Sequence, residues 1–244
     1  MKALLRNCQH GGGVVLVEKP DGVFIKSSSS TKGIRALRTE MDGYKWYLPH
    51  AMRPPRVSSR AVEETYFAFV IDRVNGFKPD YRNGLLRNSD AVARTIRHYA
   101  DVWTKSGQAG EERACSHGDL SLDNVIIRED APFFLDWEHF TPDHFPVGFD
   151  AVYLLYECLW FELAGEIRPR PDAWIFIRSQ LDALRASGCL HTSFNQGPLE
   201  RLLGLIRASP SPWGSLERCK KKLPPVRWTI EDARSLDIAL AGRN

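Results

Sequence analysis

The chain has 244 residues, enough to bury a substantial core in one domain or in two lobes that share a cleft. Composition is that of an ordinary soluble protein, and a net charge of +3 is too small to argue for nucleic acid or an anionic membrane as partner. Five cysteines, at 8, 115, 158, 189 and 219, are an odd set with no close pairing, and read as reduced thiols of a cytoplasmic protein rather than a disulfide framework or a zinc site.

The N-terminal MKALLRNCQHGGG carries too short an apolar run for a signal peptide. No stretch is long and apolar enough for a membrane span; the best candidate, 151–164, is interrupted by Glu157 and Glu162. Gly11-Gly12-Gly13 fits either a backbone loop laid over phosphates or a flexible linker. Residues 14–18 and 23–26 are strand candidates about the turn Lys19-Pro20-Asp21-Gly22. A helix is expected from Ser30 or Thr31 to Tyr47, with Ile34, Leu37, Met41 and Tyr44 on one face. Arg53-Pro54-Pro55-Arg56 breaks the chain before an apolar strand at 66–71. Another helix is expected over 88–105, where Ala91, Val92, Thr95, Ile96, Tyr99 and Val102 form a core stripe.

Residues 117–138, HGDLSLDNVIIREDAPFFLDWE, carry the densest signal. Two short apolar runs, 125–127 and 133–135, flank turn chemistry centred on Asp130 and predict a hairpin. That register sets Asn124 opposite Asp136, an amide oxygen and a carboxylate at the hairpin's open end. Mg²⁺ takes oxygen ligands of this kind together with phosphate oxygens. Asp119 is a third oxygen group, able to orient an attacking hydroxyl or accept its proton. Downstream of Asp136, the two acids and two histidines Glu138, His139, Asp143 and His144 could form a transition-metal cluster. Their spacing matches no common zinc motif, and Pro142 and Pro146 predict a loop there. Asp150 opens a buried helix at 151–163; further helices are expected at 171–187 and 198–207, and Lys220-Lys221-Lys222 reads as a solvated run.

The order Asp119, Asn124, hairpin, Asp136 resembles the protein-kinase catalytic loop and its metal-binding aspartate. With glycine at 118 and tryptophan at 137, HGDLSLDN and LDWE resemble more closely the aminoglycoside phosphotransferase and choline kinase group of small-molecule kinases. The resemblance covers residues 14 to about 163. It implies a two-lobed α+β fold of the protein-kinase type: an N-lobe at 1–75, mainly antiparallel sheet, and a mostly helical C-lobe at 76–244. It implies an ATP-dependent phosphotransferase acting on a small-molecule hydroxyl, with Mg²⁺ on Asn124 and Asp136 and with Asp119 as catalytic residue. Lys26 is implied as the strand lysine that holds the phosphates and Glu40 as its helix partner. Asp72, Arg73 and Val74 are implied as the hinge beside the adenine. Asp150 is implied to accept N–H bonds from the catalytic loop, and His117 is assigned to shaping that loop.

The acceptor stays open among aminoglycosides, amino alcohols and sugars. The region after 150 mixes Glu157, Glu162, Glu166, Asp172 and Asp182 with many arginines, which does not favour a polycation. Two other classes remain: a pseudokinase that binds nucleotide without transfer, and a metal-dependent hydrolase built on 136–144.

Overall fold

A computed structural model describes residues 8–10, 13–164, 167, 170–209 and 227–242. The N-terminal portion is one antiparallel sheet in the order β1-β2-β3-β5-β4. Its strands are β1 (Cys8–His10), β2 (Val14–Glu18), β3 (Val23–Ser28), β4 (Val57–Val62) and β5 (Phe67–Asp72). The turn at 19–22 closes β2 onto β3 through Gly22 N–H donating to the Lys19 carbonyl (3.0 Å). Helix α1 (Thr31–Tyr47) starts where Ser30 accepts the Gly33 N–H, one of the otherwise unpaired donors of the first turn. Its stripe of Ile34, Leu37, Met41 and Tyr44 is buried, and Tyr44 meets Phe69 of β5 edge-on at 6.1 Å. Each such side chain contributes roughly 1.5–3 kcal/mol of burial, so the stripe sets which face of α1 meets the sheet.

The rest of the chain is mainly helical. Short α2 (Gly84–Arg87) leads into α3 (Ser89–Lys105). Two two-stranded sheets follow: β6 (Ala114–Ser116) pairs with β9 (Thr141–Phe145), and between them β7 (Val125–Ile126) pairs with β8 (Phe133–Phe134). Then come α4 (Phe149–Leu163), α5 (Pro171–Ala186), α6 (Pro198–Ala208) and α7 (Ile230–Ala241). Helix α4 is buried from Phe149 to Leu159 without a break, so it is the spine of this lobe. None of the described helices is long and apolar enough to cross a membrane. Cys115, Cys158 and Cys189 are free thiols.

Four elements depart from the expectations above. The 139–146 stretch is not a loop: β9 lies within it, and its Pro142 is tolerated because the strand has a single partner and needs no N–H on the other side. β4 was not anticipated, because VSSRAV alternates weakly and stays largely exposed at the sheet edge. α7 was also missed; Thr229 and Asp232 start it with a capping box. Finally, α3 begins at Ser89 after Asn88, whose amide instead donates to the carbonyls of Asp80 and Gly84 (both 2.9 Å). The lysine run at 220–222 and two of the three glycines at 11–13 lie outside the described residues.

The two parts are joined by an aromatic seam. Tyr47 of α1 stacks on Phe134 (5.4 Å) and approaches Trp137 (5.0 Å), and its hydroxyl meets His98 Nε2 at 2.8 Å and the Phe134 N–H at 3.2 Å. Gly43 permits this contact, since a Cβ there would lie 2.5 Å from Trp137 Cβ, and Trp137 is fully buried. Alanine in a helix is favoured over glycine by about 1 kcal/mol, but overpacking against an immovable ring costs about 1–3 kcal/mol or more. Gly43→Ala is therefore expected to lower stability in a urea titration; a raised midpoint would show that the seam has slack.

Candidate active site

The residues singled out from sequence come from four elements. Lys26 is on β3, Glu40 on α1, Asp119 and Asn124 on the segment after β6, and Asp136 at the end of β8. Lys26 Nζ lies 2.6 Å from Glu40 Oε1 and 2.7 Å from Asp136 Oδ1. Glu40 is buried, whereas the Asp136 side chain keeps 34% of its surface exposed. Burial by itself would lower the Lys26 pKa, but Glu40 and Asp136 outweigh it and hold the ammonium well above its ordinary value. Glu40 is pushed up to about 7 by burial, with Lys26 pulling it back down. Asp136 adopts left-handed backbone (φ 61°), a strained state for a side-chain-bearing residue. Its N–H points to the Tyr44 hydroxyl (3.4 Å), so α1 helps to hold that turn.

The hairpin register differs by one residue from the expected one. Val125 pairs with Phe134 and Ile126 with Phe133, and the Leu135 N–H donates to the Asn124 carbonyl (2.8 Å). Asn124 thus faces Leu135, not Asp136. The turn accounts for the offset: Asp130 is not its centre but its brace, accepting the Ala131 N–H (2.8 Å) and facing Arg128 (3.3 Å). The Asn124 side chain donates Nδ2–H to the Asp119 carbonyl (2.8 Å), which leaves Oδ1 as its acceptor atom.

The loop that carries Asp119 is held from behind. Asp150, in the first turn of α4, accepts the N–H groups of His117 and Gly118 (both 2.9 Å), and burial pushes its carboxyl up to about 7 despite them. Gly118 has φ +83° and a Cβ there would strike the His139 carbonyl oxygen, so no larger residue fits. His117 Nε2 meets the Leu135 carbonyl at 2.7 Å. A carbonyl can only accept, so Nε2 carries the proton, and Nδ1 takes the Asp119 N–H at 3.4 Å. The imidazole is fully buried and is pushed down to about 4 by that burial.

The expected hinge is only partly available. Asp72 is the last residue of β5, and its N–H donates to the Arg56 carbonyl (3.0 Å); the Arg73 N–H donates to the Gly22 carbonyl (2.7 Å). Those two donors are spent inside the sheet, and only the Val74 N–H has no acceptor among the described residues. Gly13 lies beside Ser28, whose hydroxyl donates to its carbonyl (2.8 Å). The acid and histidine side chains at 136–144 do not converge: His144 meets Ser209 Oγ at 3.0 Å, and His139 meets Glu138 at 3.5 Å. Among the described residues no group of three or more His, Cys, Asp or Glu is arranged to hold a metal.

One residue was passed over as a mere interruption of an apolar helix. Glu157 of α4 is buried, takes a Tyr153 hydroxyl bond on Oε1 (3.3 Å) and has no partner for Oε2. Burial raises its pKa well above the carboxylate range, and the nearby charge of Asp119 adds to the rise. An acid in the middle of the apolar run AVYLLYECLW is the available signal, since a buried acid has to be explained by something it meets.

The fold is the two-lobed, protein-kinase-like α+β fold. A candidate aminoglycoside phosphotransferase from Ralstonia eutropha shares it with a TM-score of 0.50 at 13% identity, over 94% of each chain. Wild-type aminoglycoside 2'-phosphotransferase-IIIa in its GDP complex gives 0.49 at 13% identity, covering 93% of this chain and 91% of its own. ADP-bound aminoglycoside phosphotransferase APH(2'')-Ib gives 0.47 at 10% identity, covering 96% and 93%. No family model matches the chain, and no curated protein does.

His117 should stay neutral down to about pH 4, as followed by NMR of its ring protons. Because its folded pKa lies below the ordinary value near 6.5, its contribution to stability is present above that value and is lost as pH falls through about 4. The shift corresponds to on the order of 3 kcal/mol. A midpoint near 6.5 would show that the ring does not brace the Asp119 loop.

Proposed function

We propose that the chain is an ATP-dependent phosphotransferase that moves the γ-phosphate to a hydroxyl of a small molecule. Residues 1–75 act as the nucleotide lobe, and 76–244 as the lobe for catalysis and acceptor. The observation that carries this reading is the bridge of Lys26 Nζ between Glu40 and Asp136, at 2.6 and 2.7 Å. A cation held on two carboxylates from α1 and the hairpin is positioned, not merely buried. The attraction in such a buried pair is largely cancelled by desolvation, so its use is to place charge.

Phosphoryl transfer depends on alignment and on charge placed where it develops. Lys26 meets the phosphates of the nucleotide, and Glu40 fixes its head. The Asn124 Oδ1 and the half-exposed Asp136 carboxylate are the hard oxygen donors that suit Mg²⁺, and these two residues would hold it. Bound there, Mg²⁺ neutralises phosphate charge. Asp119 orients the acceptor hydroxyl and takes its proton. Asp150 and His117 keep Asp119 in place, because they hold the backbone on either side of Gly118. Val74 offers its N–H to the base. Glu157, with one unpartnered oxygen near Asp119, gives the acceptor a polar contact on the α4 side. The acceptor is a sugar, an amino alcohol or an aminoglycoside-like molecule.

The test is ADP release from Mg-ATP with a panel of aminoglycosides, choline-like alcohols, sugars and nucleosides, with GTP run in parallel. Acceptor-dependent release that disappears in Asp136→Ala is expected. Asp119→Asn should cut turnover by about 10²–10⁴ while nucleotide affinity stays unchanged. Normal turnover in Asp119→Asn would sink the role given to that carboxylate. Nucleotide binding without transfer to any acceptor would favour a binding module instead.

A further inference from the structure

A cavity of about 650 Å³ is lined by Arg73 and Val74 of the expected hinge, but not by Lys26, Glu40, Asp119, Asn124 or Asp136. Its volume is that of an ordinary small-molecule site. It is formed where the loop between α1 and β4, the segment after β5, helix α3 and the β7–β8 turn come together. Every basic side chain on its wall is an arginine: Arg53, Arg73, Arg94 and Arg128.

The four do different work. Arg128 is structural. Its guanidinium donates to the carbonyls of Met52 (2.5 Å), Arg53 (2.8 Å) and Ala131 (2.9 Å), and it faces Asp130 at 3.3 Å. This clamp holds Arg53 in left-handed backbone, φ 43°, a conformation that costs about 1–3 kcal/mol for a residue with a side chain. Strain of that kind persists only when the surroundings enforce it, and here it fixes the start of the Arg53 side chain at the cavity wall. The Arg53 side chain is 84% exposed and its nearest carboxylate, Asp130, is 3.9 Å away and already taken by Arg128. Arg73 is 61% exposed with a long contact to Glu18 (3.6 Å). Arg94 lies across the β7–β8 turn, one of its nitrogens against the carbonyls of Arg128 and Glu129.

Charge on the wall does not balance. The wall holds four arginines against Glu129 and Asp130, an excess of two positive charges, which Glu18 beyond the wall meets only through its long contact with Arg73. Exposed ion pairs at 3.6 and 3.9 Å are worth little and leave guanidinium donors unsatisfied. Arginine forks match phosphate oxygens two at a time, which a set of lysines would not. Apart from Asn75 the remaining wall is apolar, and Phe77 lines it with 57% of its surface exposed. The floor is rigid: Gly76 packs so closely on the β7–β8 strand that a Cβ would lie 2.5 Å from the Ile127 carbonyl oxygen.

We propose that this cavity is a second ligand site that takes a small phosphate ester, with the phosphate on Arg53, Arg73 and Arg94 and the organic part against Phe77. A free carboxylate lacks the double charge and three-sided oxygen display that several guanidinium forks can use.

Phenyl phosphate is the probe, titrated into the full chain by calorimetry, with inorganic phosphate and phenol as partial probes. Saturable binding is expected, tighter for phenyl phosphate than for either part. Arg53→Gln/Arg73→Gln should weaken it at least about tenfold, since charge-assisted hydrogen bonds of this kind are each worth about that factor or more. Phe77→Ser should weaken phenyl phosphate but leave inorganic phosphate unchanged. Lys26→Ala and Asp136→Ala should leave all of it unaltered, so the result stands apart from the outcome of the transfer assay. No saturable binding, binding unchanged in the arginine variant, or binding lost in Lys26→Ala would each overturn the site, the last by placing the phosphate in the nucleotide cleft.

Discussion

A single ammonium group ties the candidate site together. Lys26 is carried by the sheet, Glu40 by α1 and Asp136 by the hairpin, and the three meet only if all three elements dock. Removing one partner of a buried pair leaves a charge with nothing to offset its lost hydration, at a cost of about 3–5 kcal/mol. The bridge is therefore a strict reporter of α1 position. It is not what drives the docking, because its attraction is largely cancelled by desolvation. The drive comes from the aromatic seam, where Tyr44, Trp46 and Tyr47 of α1 meet Phe133, Phe134 and Trp137. Apolar contact sets the geometry that the charges then use.

Helix α4 performs the matching task on the other side. Asp150, Tyr153 and Glu157 are spaced by three and four residues, which puts them on one face of the helix. Asp150 holds the loop that carries Asp119, and Tyr153 and Glu157 lie within electrostatic reach of Asp119. Tyr156 points elsewhere and donates to Asp237, whose carboxylate also accepts the Leu199 and Glu200 N–H groups at the start of α6. One buried helix thus supports the loop and anchors the C-terminal helices. A helix so apolar can carry these polar groups because nearly every one of them is paired; the exception among the described residues is the buried Glu157 Oε2.

A cavity of about 670 Å³ between α5, α6 and α7 contains none of the catalytic candidates. Its walls mix Arg178, Arg185 and Arg234 with Asp182, Glu200 and Asp237, so its charges largely answer one another. That sets it apart from the arginine-lined cavity beside Phe77, where the arginines outnumber the acids of the wall and, apart from Arg128, meet carboxylates only at 3.6 and 3.9 Å. Size alone does not distinguish the two, and the charge balance does.

Much was readable without coordinates. The strands at 14–18 and 23–26, α1 with its Ser30 cap, β5, α3 and α4 follow from short-range rules of alternation, helical spacing and capping. The motif HGDLSLDN with LDWE marked Asp119, Asn124 and Asp136 by their order. Other features depended on contacts distant in sequence. The hairpin register moved by one residue because Asp130 braces the turn with Arg128 and Ala131 instead of forming its centre. The hinge lost two of its three N–H donors because Arg56 and Gly22 lie beside it in the folded sheet. β4, β9 and α7 form on weak local patterns because partners complete them. By itself the sequence determined which residues carry polar chemistry and in what order, since backbone geometry repeats over three or four residues. Only the tertiary structure decided which charges meet, because the partners of Lys26 are 14 and 110 residues away and their approach is set by packing.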